Sequence, residues 1–334
     1  MHKTLKKILE ISFFFALTIV LLWFSFRDAK LAELWEGAKS ASLSWIILSI
    51  ALGIAAYFIR AQRWRLLIEP LGYKPTLGNM YNAVIVGYLG NFAFPRFGEI
   101  ARCITLNRSS QIPFDKLVGT VVVERAFDMV CMITVVVVTF FLRVDTFGKF
   151  LHENLLQSLA GTEVLLCALL IAGVAVVATC CIVWFFRAEL LQYALVKKIA
   201  TFAKGIIAGL KTFIYMKQRR QFLLLTLALW TCYWLMTWTV LLAIPATASL
   251  GAVDGLVSMV LGSFGVIAPT SGGLGAFHAI MKLGLPFLFG ISETSALLFA
   301  TISHESQALF IVILGFIAYA RVFIISSTKR VRLP

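Results

Sequence analysis

Six stretches of this chain, at about 8–26, 42–62, 117–142, 163–186, 221–244 and 294–320, are almost uninterruptedly apolar. Each is long enough to cross about 30 Å of hydrocarbon, which takes roughly 20 such residues in a helix. Lipid offers no partner to a bare peptide group, so spanning segments of this kind are helices or closed barrels, and runs this long are helices. Composition agrees: 60% of the 334 residues are hydrophobic and 14% are charged, with a mean hydropathy of +0.91. Soluble domains hold roughly 45–50% apolar residues. The expected fold class is therefore all-α, a polytopic membrane protein.

Two further apolar regions, 79–94 and 255–290, are broken by proline and glycine. The first leads into Gly87–Arg102, GYLGNFAFPRFGEIAR, and the second contains Gly262–His278, GSFGVIAPTSGGLGAFH. Pro95 and Gly98 mark the first break, and Pro269, Gly272, Gly273 and Gly275 the second. Irregular backbone at membrane depth is tolerated only where it is buried in protein or lines a watery cavity.

Basic residues orient the chain. The N-terminal ten residues and the regions 60–116, 187–220 and 321–334 hold 23 Lys and Arg, against 5 in the intervening connections. Such an excess marks the cytoplasmic side, so both termini are expected there. It also explains the net charge of +14 without nucleic acid as a partner. On this reading 79–94 dips in from the cytoplasm and returns, and 255–290 is a hairpin from outside. Helix 42–62, dip and helix 117–142 form one unit; helix 221–244, hairpin and helix 294–320 form another of opposite orientation. Paired interrupted segments in inverted halves point to a transporter binding site.

The expected organisation is a single integral membrane domain over 1–334. It comprises a first helix and external loop (1–41), a first repeat (42–142), a linking helix with a basic amphipathic cytoplasmic helix (163–220), and a second repeat (221–320). Arg27 and Asp28 directly follow the first apolar run with no small-residue cleavage pattern, so that run reads as a retained helix. In 197–218, Lys197, Lys204 and Lys211 recur on one face, which suits anionic lipid headgroups on the inner leaflet.

Three charged constellations are candidate substrate-binding residues. Arg96, Glu99 and Arg102 follow Pro95, close to Asn91; an arginine fork there suits a lipid phosphate, although ordinary loop charges would read the same way. Glu124, Arg125 and Asp128 lie within an apolar helix. Charges so placed cost on the order of 2.5–3.5 kcal/mol each unless paired. Arg125 reaches Asp128 at helical spacing, and the surplus acid invites Arg96 or Arg102. The alternative is an ion-pair knot with only a structural role. His304 and Glu305 lie near the middle of 294–320, with His278 and Lys282 as candidates to meet Glu305. His304 can titrate near neutral pH and couple proton movement. Alternatively it hydrogen-bonds a carbonyl freed at Pro269.

No metalloprotease or hydrolase signature is present, no metal-ligand spacing joins the six cysteines, and no cofactor or metal is expected. At Asn91, Pro95, Arg96, Gly98, Glu99 and Arg102, then Pro269, Gly272, Gly273 and Gly275, the chain resembles the lysylphosphatidylglycerol synthase transmembrane-region family, also called the flippase-like domain. Glu124, Arg125 and Asp128 also look like that family. Where the family carries an acid after the second glycine cluster, this chain has His278. The resemblance implies a module that handles polar lipids. In the multiple peptide resistance factor that module is joined to an aminoacyl-transferase domain, and no such domain is expected within these residues.

The expected function is thus transport of a polar lipid, such as a phospholipid, between leaflets of the cell's inner membrane. An intramembrane lipid-modifying transferase, or an accessory subunit of one, is the alternative. A scaffold recruiting a cytoplasmic partner is a third reading. A homo-oligomer is compatible with all three.

Overall fold

The computed structural model describes residues 2–143 and 216–331, and side chains within 12–143 and 216–324. The expected span 163–186 lies outside the described residues, as does all but the end of the amphipathic stretch 197–218. Every described element is helical. In chain order these are α1 (His2–Phe26), α2 (Leu31–Ser40), α3 (Leu43–Ile68), α4 (Leu77–Ala93), α5 (Gly98–Ser110), α6 (Phe114–Leu142), α7 (Arg219–Ala243), α8 (Ala252–Ile267), α9 (Ala276–Phe289) and α10 (Glu293–Val331). Among the described residues, Leu43–Leu71, Arg219–Ala243, Ser271–Phe289 and Glu293–Ile324 are long and apolar enough to cross a membrane. The bent pair of α1 and α2 adds a fifth if it is counted as one span.

The chain divides into two compact units, Met1–Glu124 with Met216–Pro334, and Arg125–Tyr215. Of the second, the described part continues α6. There Thr134 and Thr139 donate to carbonyls one turn back, and Arg125 pairs with Asp128 at 3.6 Å.

Both breaks form helical hairpins. Thr76 opens α4 by accepting from the Asn79 N–H, and α4 runs to Phe94. The chain turns at Pro95 and Arg96 and returns as α5. Asn91 fastens this turn, its Oδ1 accepting from the Gly98 N–H at 2.7 Å. The arms pack through small residues: a Cβ on Gly87 would sit 2.9 Å from the Gly98 carbonyl oxygen, and one on Gly90 3.0 Å from the Ala101 Cβ. Small residues allow such approach where no hydrophobic force drives helices together in lipid. In the second hairpin Asp254 caps α8 by accepting from the Gly251 N–H. The chain then breaks over 268–275 before α9 begins.

α3 and α7 lie along each other antiparallel. The Ser42 N–H at the start of α3 donates to the Ala243 carbonyl at the end of α7, and Arg63 near the end of α3 lies over Phe222 near the start of α7. α9 packs its Phe277, Met281 and Leu285 against Val240 and Leu241 of α7 and Phe299 of α10.

Two expectations need correction. Residues 27–41 are not an irregular loop: Leu31–Ser40 is helical and bends 83° from α1. Its ion pairs Lys30–Glu33 and Glu36–Lys39, spaced three apart, suit a short surface helix. α3 does not end at 62 but runs on to Ile68, and Pro70 follows. Arg60 and Arg63, counted above as loop charges, are therefore helical and buried.

Candidate functional site

Glu124 lies fully buried in α6, ringed by arginines. Its Oε1 is 2.8 Å from Arg60 Nη2 and 3.3 Å from Arg63 Nη2, and its Oε2 is 2.8 Å from Arg102 Nη1. Arg102 stacks on Trp64 at 4.7 Å, and the Trp64 indole donates to Thr120 Oγ1 at 2.8 Å. Arg60 also donates to the hydroxyls of Tyr88 and Tyr233, at 3.0 and 3.1 Å. One carboxylate thus joins α3, α5 and α6, and Arg60 extends the network to α4 and α7. A group with no exposure cannot meet a substrate without rearrangement, so the geometry favours the ion-pair knot at Glu124. Of its two expected arginine partners, Arg102 is the one that arrives.

Arg96 goes elsewhere. It is exposed at the tip of the first hairpin and makes no ion pair among the described residues. Its φ of 61° is left-handed, a conformation that costs a non-glycine residue about 1–3 kcal/mol. Glu99 is half-buried on the first turn of α5.

The two breaks meet. A Cβ on Gly272 would come within 2.7 Å of the Phe92 ring, so only glycine lets the second break lie against the end of α4. Gly272 also has φ 63° and Gly275 φ 79°, which glycine alone adopts freely. Around this contact, the His304 ring lies 6.2 Å from Phe92, 5.5 Å from Phe277 and 5.5 Å from His278. His304 Nε2 is 3.0 Å from the Gly272 carbonyl oxygen, and its Nδ1 is 3.0 Å from Glu305 Oε1. His304 thus holds a carbonyl of the second break, the alternative weighed for it, and also faces a carboxylate.

His278 is 1% exposed and its Nε2 stands 3.6 Å from Glu305 Oε1. Lys282 does not reach Glu305, contrary to expectation. It lies 3.8 Å from Asp28 and 3.7 Å from Glu293, because one turn further along α9 it has reached the ends of α1 and α10. Buried polar atoms gather at the second break. Thr270 Oγ1, Ser271 Oγ and His278 Nδ1 have no hydrogen-bond partner among the described residues. Among the described residues no group of His, Cys, Asp and Glu is arranged to hold a metal.

Arg60, Arg63, Tyr88, Tyr233 and Phe92 were missed as site or framework residues. For the arginines a signal existed, since the nearest helix-stopping residue after Trp64 is Pro70. For the tyrosines and Phe92 there was none.

A profile of the lysylphosphatidylglycerol synthase TM region matches residues 10–315. The chain belongs to that family. Both broken hairpins, the Glu124 knot and the His304–Glu305 pair fall within the family match. Among curated relatives, UPF0104 membrane protein MJ1595 of Methanocaldococcus jannaschii is 33% identical over 87 residues, 25% of this chain and 26% of that protein. Glycosyltransferase AglD of Haloferax volcanii is 29% identical over 77 residues, 23% of this chain and 12% of that protein. The chain thus matches about a quarter and an eighth of the lengths of these relatives. No solved structure matches the chain. Family membership and several long apolar helices make this a multi-pass membrane protein.

Proposed function

We propose that this protein moves a polar lipid between the leaflets of the cell's inner membrane, the headgroup passing the seam where the two broken hairpins meet. The observation that carries this reading is the seam itself. Two interrupted helices, which the reading assigns to opposite halves, touch at Phe92 and Gly272, with Thr270, Ser271, His278, His304 and Glu305 around the contact. Unwound backbone and convergent polar groups at paired breaks are what a transporter uses to replace the hydration of its cargo. The antiparallel course of α3 and α7 supports opposed halves. Arg96 would hold a headgroup phosphate as the lipid enters, by paired charge-assisted hydrogen bonds. Anionic headgroups at the basic cytoplasmic face would be standing neighbours, not cargo.

The test is lipid translocation in reconstituted vesicles. Labelled cationic, anionic and zwitterionic phospholipids and a polyprenyl-phosphate sugar are compared for wild type and Arg96→Ala. The expected result is movement of one headgroup class, slowed at least tenfold in the variant. Movement of no lipid by folded protein would end this reading.

The stretch shared with a glycosyltransferase favours a second reading, an accessory subunit of a lipid-modifying transferase. A change in lipid mass that depends on an added sugar donor would select it.

A further inference from the structure

The surroundings of His304 require an extra proton. A backbone carbonyl only accepts hydrogen bonds, so Nε2, 3.0 Å from the Gly272 oxygen, must carry hydrogen. In a neutral ring Nδ1 is then a bare lone pair. It faces Glu305 Oε1 at 3.0 Å, and an ionised carboxylate is also only an acceptor. Two acceptors at that distance repel unless one proton lies between them. The proton sits either on Nδ1, giving imidazolium beside carboxylate, or on Oε1, giving carboxylic acid beside neutral imidazole. Both arrangements leave the pair with no net charge. Its loss leaves one uncompensated negative charge on an apolar helix.

We infer that His304 and Glu305 form a binding site for one exchangeable proton, and that its occupancy is coupled to passage of the lipid. This rests on the translocation reading. Glu305 is 45% exposed and admits the proton from the seam. His278 lies alongside, its Nε2 3.6 Å from the same carboxylate oxygen. When the proton leaves, Glu305 is left ionised and His304 neutral.

α1 brings Phe26 against His278, and of the tyrosines packed on α10 further along, Tyr88 is held by Arg60. On α9, Lys282 is engaged with Asp28 and Glu293. α4 contributes only Phe92 at this point, and the 268–275 break only hydroxyls and backbone. On α3, which meets α10 through Ser49 and Gln307, the nearest charge is Arg60, held by Glu124. The coupling is mechanical. With the proton bound, His304 keeps its bond to the Gly272 carbonyl and ties the second break to α10. Without it, the repulsion at Nδ1 is relieved by moving the ring hydrogen to Nδ1, which gives up the Gly272 bond and frees the break beside Phe92.

The first measurement is pH-difference infrared spectroscopy between pH 5 and 9 on the full chain in phospholipid nanodiscs. The wild-type spectrum should contain a carboxylic or imidazolium change absent from both Glu305→Gln and His304→Gln; using two variants guards against misfolding of either. Superimposable spectra for all three proteins overturn the site. The second measurement applies one pH unit across vesicles that carry the lipid the wild type moves. One proton per lipid gives about a tenfold leaflet asymmetry with wild type and none with Glu305→Gln. Equilibration indifferent to the gradient overturns the coupling and leaves translocation standing. A titrating pair in a protein that moves no lipid supports the proton site and overturns translocation.

Discussion

Glu124 and Glu305 are both carboxylates in apolar helices, and their surroundings assign them opposite work. Glu124 is sealed among Arg60, Arg63 and Arg102. Replacing it with glutamine leaves buried guanidinium groups around a neutral amide, and breaking a buried pair in this way costs about 3–5 kcal/mol. Equilibrium unfolding of Glu124→Gln in mixed micelles should show a loss of that size, and a variant as stable as wild type would refute the knot. Glu305, half-exposed beside His304, is not enclosed in this way. Arg96 shows a third arrangement: a left-handed backbone at an exposed tip, where glycine would rest without strain.

At the scale of elements, the hairpins depend on how closely their arms approach. A Cβ on Gly98 would run into the Gly87 carbonyl oxygen and the Asn91 side chain, which holds the turn. Gly98→Ala should therefore force the arms apart, destabilise by about 1–3 kcal/mol as overpacking does, and slow translocation. A thermal melt with a parallel vesicle assay checks it; an unchanged melt would mean the arms yield without cost. The second hairpin was legible from sequence, because proline, glycine and apolar runs are local signals: 255–290 was expected and Ala252–Phe289 is found; 79–94, expected to dip and return by itself, is a single arm, and Gly98–Ser110 makes the return. The true end of α3 was not legible, since Arg60 and Arg63 look like a cytoplasmic border until a carboxylate 61 residues beyond Arg63 is folded against them. The tilt of α2, the grip of Lys282 on Asp28 and Glu293, and the landing of Gly272 on Phe92 were hidden for the same reason. Pattern in the chain tells which residues share a face, and only packing tells which faces meet.

Across the whole molecule, the seam predicts a part that must open and a part that need not. In a background without native cysteines, Phe92→Cys removes the ring that a Cβ on Gly272 would strike, so Phe92→Cys with Gly272→Cys should oxidise and stop translocation. Thr18→Cys with Ser271→Cys should oxidise and leave it running. Free translocation through a locked 92–272 pair would refute the seam. The second pair rests on a contact between the first helix and the second break. The Ser271 N–H points at Thr18 Oγ1, 3.4 Å away, and a Cβ on Gly275 would lie 2.9 Å from the Thr18 carbonyl oxygen. These partners are 253 residues apart in the chain. At roughly 5–20 residues per second, the ribosome needs on the order of 13–50 s to make the second after the first. For that interval α1 waits in the bilayer with its docking face bare, open to other helices and to quality-control proteases. Biogenesis of this protein is therefore decided late, when the second break emerges and the oldest helix finally finds its place.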